Sequence, residues 1–129
     1  MIYSQKVIDR VTNPKNAGTM DSSDPEVGVG LVGSPACGDV LQLFIRVREG
    51  KIIEAKFHAF GCGSAIASSQ FATEKLGGMT MNEAKNINNK EIFDYLGLPP
   101  VKLHCSILAE EAVHAAITDY KSKNAKFGT

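Results

Sequence analysis

The sequence predicts an α+β fold, a two-layer domain whose helices cover one face of a three-stranded antiparallel sheet, with a short N-terminal helix ahead of it. Three observations lead there. Apolar and polar residues alternate through residues 41–60, broken once at Glu49-Gly50. The second half of the chain repeats apolar residues at helical spacing between cap signals, and Tyr3, Val7, Ile8 and Val11 form a helical stripe at the N-terminus. A length of 129 residues fits one domain of usual size, so residues 1–129 are read as a single unit with a polar tail, 121–129, that frays.

The N-terminal stripe places a helix over residues 2–11. It ends near Asn13-Pro14, because the residue before a proline avoids the helical region. Residues 13–26 are polar and turn-rich and read as a loop. Val27, Val29 and Leu31 alternate with Gly28 and Gly30, a first strand whose glycines either weaken it or let another backbone approach. Leu41, Leu43, Ile45 and Val47 mark one face of a second strand; beyond the turn, Ile53, Ala55, Phe57 and Ala59 continue the alternation in a third. Ser64 is the expected cap of a helix over 65–76 that Gly77-Gly78 ends. Thr80–Glu83 and Asn88–Glu91 both have capping-box spacing. Gly97-Leu98-Pro99-Pro100 is a stiff connector, and from near Val101 a long helix carries Leu108, Ala109, Ala112, Ala116 and Ile117 on one face.

Composition narrows the function. Hydrophobic residues at 43% and charged residues at 22% describe an ordinary folded chain rather than a disordered one. Fourteen basic residues balance fourteen acidic ones, so no broad positive field is available to hold nucleic acid or an anionic membrane. Apolar runs fall far short of the roughly 20 residues that span a bilayer. Charge also interrupts any signal-like core at the N-terminus. The expectation is a cytoplasmic protein, or one of an organellar matrix if the chain is processed, with neither nucleic acid nor membrane as partner. Phosphate-loop, dinucleotide and His-Glu-x-x-His motifs are missing from the sequence.

The cysteines carry the remaining signal. Three is an awkward number for a disulfide-stapled secreted module, but in a reducing compartment three thiolates serve as ligands. Cys37 precedes the second strand, Cys62 lies between the hairpin and the next helix, and Cys105 falls in the first turns of the last helix. Each sits at the end of an element, where a scaffold gathers side chains from distant sequence. Proximity to helix N-termini is expected to lower the pKa of Cys62 and Cys105. Asp39 is two residues from Cys37, on the same side of an extended backbone, and His104 adjoins Cys105 near the rim. Three thiolates and one carboxylate suit a tetrahedral zinc ion or a pair of ferric ions bridged by sulfide. His58 and His114 read as structural or exposed. A Cys-His nucleophile is a weak alternative, because adjacent His104 and Cys105 are expected to diverge around the helix.

Three motifs resemble a known family. Gly33-Ser34-Pro35-Ala36-Cys37-Gly38-Asp39, Phe60-Gly61-Cys62-Gly63-Ser64-Ala65-Ile66-Ala67-Ser68-Ser69 and Leu98-Pro99-Pro100-Val101-Lys102-Leu103-His104-Cys105-Ser106 are similar to segments of the IscU-type iron–sulfur cluster assembly scaffolds, related to the N-terminal domain of NifU. Gln70 departs from that pattern, standing where a small residue is more usual. The resemblance implies a non-catalytic scaffold that assembles a transient 2Fe-2S cluster from iron and persulfide sulfur and passes it to recipient apoproteins. It implies Cys37, Cys62 and Cys105 as cluster or persulfide residues, Asp39 as a metal ligand that keeps the cluster labile, and His104 as an alternate ligand. It places the persulfide acceptor at Cys105, which the residues alone do not separate from Cys62. Implied partners are a cysteine desulfurase, an iron-donor or regulatory protein, a ferredoxin-type electron donor, and a specialised Hsp70-type chaperone with its co-chaperone; a homo-oligomer is a further expectation. Leu98, Pro99, Pro100, Val101 and Lys102 look like the chaperone-recognition segment, with Leu98 and Val101 as apolar anchors. The competing reading is a zinc-stabilised sulfur-transfer or interaction module, and zinc is expected to occupy the same ligands in isolated protein.

Overall fold

The computed structural model describes residues 3–34 and 38–125. Three strands, β1 (Val27–Ser34), β2 (Asp39–Arg48) and β3 (Lys51–Phe60), form an antiparallel sheet in the order β1-β2-β3. Helices α1 (Gln5–Thr12), α2 (Gly63–Leu76), α3 (Met81–Ala84), α4 (Asn89–Leu96) and α5 (Leu103–Ala125) complete the described residues, with a 3₁₀ turn over Pro100–Lys102. The two-layer α+β architecture is as predicted.

The core lies between the sheet and the helices. Leu43, Ile45, Val47 and Ile52 meet Ala67 and Leu76 of α2, Ile92 and Leu96 of α4, and Ala109, Val113 and Ala116 of α5. The tight β2–β3 turn works because Glu49 and Gly50 both take positive φ, 53° and 77°, as a two-residue hairpin loop requires. The expected inward face of β3 is corrected at its start. Register shifts between Arg46 and Val47, so Ile52 is buried and Ile53 is exposed. The bulge adds a residue and reverses the alternation at that point.

The glycines of β1 serve close approach. A Cβ on Gly28 would lie 2.2 Å from the Ala116 carbonyl oxygen, and one on Gly30 2.3 Å from that of Ala112. Their absence lets α5 lie directly on the strand backbone. Farther along, Val29 N–H donates to Asp119 Oδ2 at 2.8 Å and Lys123 Nζ donates to the Val27 carbonyl at 2.7 Å, so α5 also satisfies part of the open strand edge.

Several boundaries differ from expectation. Helix α1 starts at Gln5 because Ser4 caps it, accepting from Val7 N–H, while Ser4 Oγ also donates to the Leu96 carbonyl. Cys62, not Ser64, is the N-cap residue of α2; Ser64 lies inside the first turn, buried, with no hydrogen-bond partner among the described residues. Thr80 and Glu83 form the predicted capping box. Asn88 caps α4, but the Glu91 carboxylate pairs with Lys75 at 3.2 Å instead of closing the box. The two prolines delay the last helix to Leu103 by inserting the 3₁₀ turn. Within the tail expected to fray, α5 continues to Ala125, and Lys123 and Asn124 bond to the carbonyls of Ser22, Val27 and Pro25; residues 126–129 lie outside the described part.

Candidate metal centre

The edge of the sheet and the starts of two helices converge on one site. Asp39 opens β2, Cys62 caps α2, and His104 and Cys105 lie in the first turn of α5. Asp39 is the hub. Its Oδ1 accepts the Cys62 backbone N–H at 3.2 Å, and its Oδ2 lies 2.9 Å from His104 Nε2. His104 Nε2 is in turn 3.5 Å from Cys105 Sγ, and Cys105 Sγ is 3.6 Å from Cys62 Sγ. One ligand atom each from Asp39, His104 and Cys105 fits within 4.8 Å of the others. Carboxylate, imidazole and thiol within that span are donors that suit zinc or iron. Cys37 and the neighbouring Pro35 and Ala36 lie outside the described residues, and the expectation that Cys37 and Asp39 share one side of the chain falls there with them.

The local backbone explains why Asp39 can reach across. Gly61 has φ of 150°, and a Cβ there would fall 2.0 Å from Asp39 Oδ1. The glycine before Cys62 makes room for a carboxylate. Asp39 is buried, whereas the His104 side chain is half exposed, so the site opens to solvent on the histidine side.

Two expectations about the cysteines are corrected. His104 and Cys105 do not diverge: although adjacent on a helix, the imidazole folds back to contact the thiol. Nor is the Cys105 thiol acidified. Burial pushes its pKa well up, helped by its hydrogen bond with Cys62 and by the negative charges of Cys62 and Asp39, while Lys102 opposes the rise. Desolvation and two anionic neighbours outweigh the helix N-terminus. A bound cation would reverse that balance. Lys102 itself is held more basic, chiefly by the charge of Cys62.

The segment that the resemblance offers for chaperone recognition also differs from expectation. Val101 is exposed, as an anchor should be, but Leu98 packs into the core at 4% exposure, because the turn after α4 directs it inward. Sequence reasoning did not single out Phe60 and Leu103, which join Val101 as exposed apolar residues adjacent in sequence to the site residues; apolar alternation cannot tell a rim residue from a core one. It noted Gln70 without a role. That side chain is buried, accepts Asn16 N–H at 2.8 Å and donates to Glu74 at 3.0 Å, tying the loop after α1 to α2. The His58 ring packs tilted against Phe60 and His114 contacts the Lys85 carbonyl; both are exposed, as expected. A groove of about 820 Å³, lined by Gln5, Arg10 and Glu74 among others, contains neither thiol nor imidazole.

Comparison with known proteins matches residues 2–127 to the NifU-like N terminal domain. The chain belongs to this family. It is 59% identical over 124 residues to the iron-sulfur cluster assembly scaffold protein IscU of Azotobacter vinelandii, covering 95% of this chain and 97% of that one. It is 57% identical over 126 residues to iron-sulfur cluster assembly protein 1 of Oryza sativa subsp. japonica, covering 96% of this chain and 74% of that one. A solved structure titled only as a hypothetical protein superposes with a TM-score of 0.71 at 26% identity, covering 88% of this chain and 94% of the other. The NifU-like fold therefore carries the site on its sheet edge and helix starts.

Proposed function

We infer that this chain is a non-catalytic scaffold on which a 2Fe-2S cluster is assembled and from which it is handed to recipient apoproteins. The observation that carries the reading is the convergence of Asp39, Cys62, His104 and Cys105 in a chain so similar to proteins named for cluster assembly. Iron and sulfide are cargo here. Cys62, Cys105 and Cys37 supply thiolates that suit iron–sulfur chemistry. Asp39 and His104 supply harder donors that exchange more readily, which suits a cluster that must leave.

A cysteine desulfurase delivers persulfide sulfur in this reading, with Cys105 as its acceptor, and an iron donor and a ferredoxin-type protein contribute iron and electrons. The segment Leu98–Lys102 is the recognition site for the Hsp70-type chaperone and its co-chaperone. Because Leu98 is part of the core, engaging both apolar anchors requires that turn to open. A cytoplasmic or organellar-matrix location is consistent with the absence, among the described residues, of any helix long and apolar enough to cross a membrane.

The test is anaerobic incubation of the chain with ferrous iron, cysteine and a cysteine desulfurase, followed by visible absorption. The 2Fe-2S spectrum is expected. Serine at Cys37, Cys62 or Cys105 lowers yield or cluster lifetime, and substitution of His114 leaves both unchanged. Full-strength cluster formation in a variant lacking two of the cysteines overturns the assignment. Zinc bound to the same donors does not, provided that cluster forms and transfers after the zinc is removed.

A further inference from the structure

The chain is neutral overall, fourteen basic residues against fourteen acidic, yet one concavity apart from the metal centre gathers only positive and neutral groups. It measures about 260 Å³ and is lined by Lys85, His114, Ile117, Thr118 and Lys121. Four of these share one face of α5 at helical spacing, and Lys85, the C-cap residue of α3, forms the facing wall. A contact of 3.3 Å between His114 Nε2 and the Lys85 carbonyl oxygen ties the two walls together, over a buried Ile117. No carboxylate lines the hollow. Among the described residues, ion pairs engage Lys56, Lys75, Lys90 and Lys123 but neither Lys85 nor Lys121. These two meet each other instead, and Lys121 is held less basic than usual, chiefly by its contact with Lys85.

Two ammonium groups side by side repel unless an anion joins them. An oxyanion between them removes that repulsion and gains two charge-assisted hydrogen bonds. A monoanion half neutralises the pair, whereas a dianion matches it. The Thr118 hydroxyl, on the same rim, adds a third donor. Three donors around a small hollow suit a compact group that presents several acceptor oxygens. We propose that this concavity is a phosphate-group site: Lys85 and Lys121 hold a dianionic phosphate or phosphate monoester between them, and Thr118 donates to a third oxygen. His114 is a positioning residue that fixes Lys85 through its carbonyl. His114 lies nine positions beyond Cys105, roughly 13 Å along the helix axis, so the site is separate from the metal donors and does not depend on the scaffold reading.

The test is amide-resolved NMR of the full metal-free chain titrated with inorganic phosphate. The pH is held at about 8, where phosphate is dianionic and histidine neutral, and chloride is adjusted to keep ionic strength constant. Saturable shifts are expected at Lys85 and residues 114–121, in the millimolar range that exposed charge pairs support. Lys85→Gln and Lys121→Gln each weaken binding about fivefold, and the double variant no longer saturates. Both side chains are exposed, so the variants are expected to keep the fold, and the wild-type shift map decides the location in any case. Adenosine monophosphate separates the sources of the group: tighter binding than inorganic phosphate assigns the site to a nucleotide, and equal binding to phosphate groups at large. Shifts that grow without saturation, saturable shifts that map elsewhere, or binding that the double variant retains overturns the proposal. Glutarate binding as tightly as phosphate also overturns it, and would make the hollow a dock for acidic side chains of a protein.

Discussion

From its middle onward, α5 places Ala112 and Ala116 over Gly30 and Gly28 so closely that no Cβ fits between, whereas at its N-terminus His104 and Cys105 face Asp39 and Cys62 across polar contacts of 2.9 to 3.6 Å. The first region is built from residues with almost no side chain and is held by backbone approach. The second places a buried thiol where a leucine or alanine would pack with less cost. The difference teaches how one helix divides its tasks: the far half anchors it to the sheet, and the near end is thereby free to carry ligands that add little to stability.

The largest expected effect is at the anchored half. Gly30→Val forces a side chain against the Ala112 carbonyl oxygen, 2.3 Å from the ideal Cβ, and is expected to cost about 3 kcal/mol or more in urea unfolding. A loss below about 1 kcal/mol would mean that α5 lifts from β1 easily, and the contrast would fail.

Cys105→Ala at the other end is expected to abolish cluster formation while costing only about 1 kcal/mol of stability. The same variant tests the raised pKa. In the metal-free protein a thiol held above its ordinary pKa is protonated at neutral pH, and zinc binding must expel that proton. Calorimetry of zinc binding in two buffers of different ionisation enthalpy should show the proton released, and fewer protons released by Cys105→Ala. Equal proton counts would show that Cys105 is not a ligand.

Asp39→Ala removes the hard donor that joins Cys62 N–H to His104. Its cluster is expected to decay a few-fold more slowly to a chelator under anaerobic conditions. Unchanged decay would deny Asp39 its labilising role. The smallest effect is expected back at the anchored half. Asp119→Ala leaves the Val29 N–H without its acceptor and should cost about 1 kcal/mol, with faster hydrogen exchange confined to the open edge of β1.

Much of the fold was legible because periodicity is a local property. The alternation in β2, the glycine-spaced β1 and the capping box at Thr80 are each written within a few consecutive residues. Ile53 was misplaced because a bulge reverses alternation without altering composition. The polar residues after 120 gave no local sign of partners, because the carbonyls that Lys123 and Asn124 reach lie in the loop before β1, roughly a hundred positions away. At the site, the ligand types were legible from the cysteine contexts and the family resemblance. The role of Gly61 was not, because only its contact with Asp39 shows what its missing side chain avoids.

The sequence alone determined the kinds of element and their order and pointed to the cysteine contexts, since each follows from residue chemistry over a short span. Tertiary structure decided that Cys62 and Cys105 touch, that Asp39 bonds partners 23 and 65 positions away, that Leu98 turns inward and that the Cys105 thiol is held protonated. Those properties depend on distances and desolvation between groups remote along the chain, and such quantities exist only once the helices have packed on the sheet.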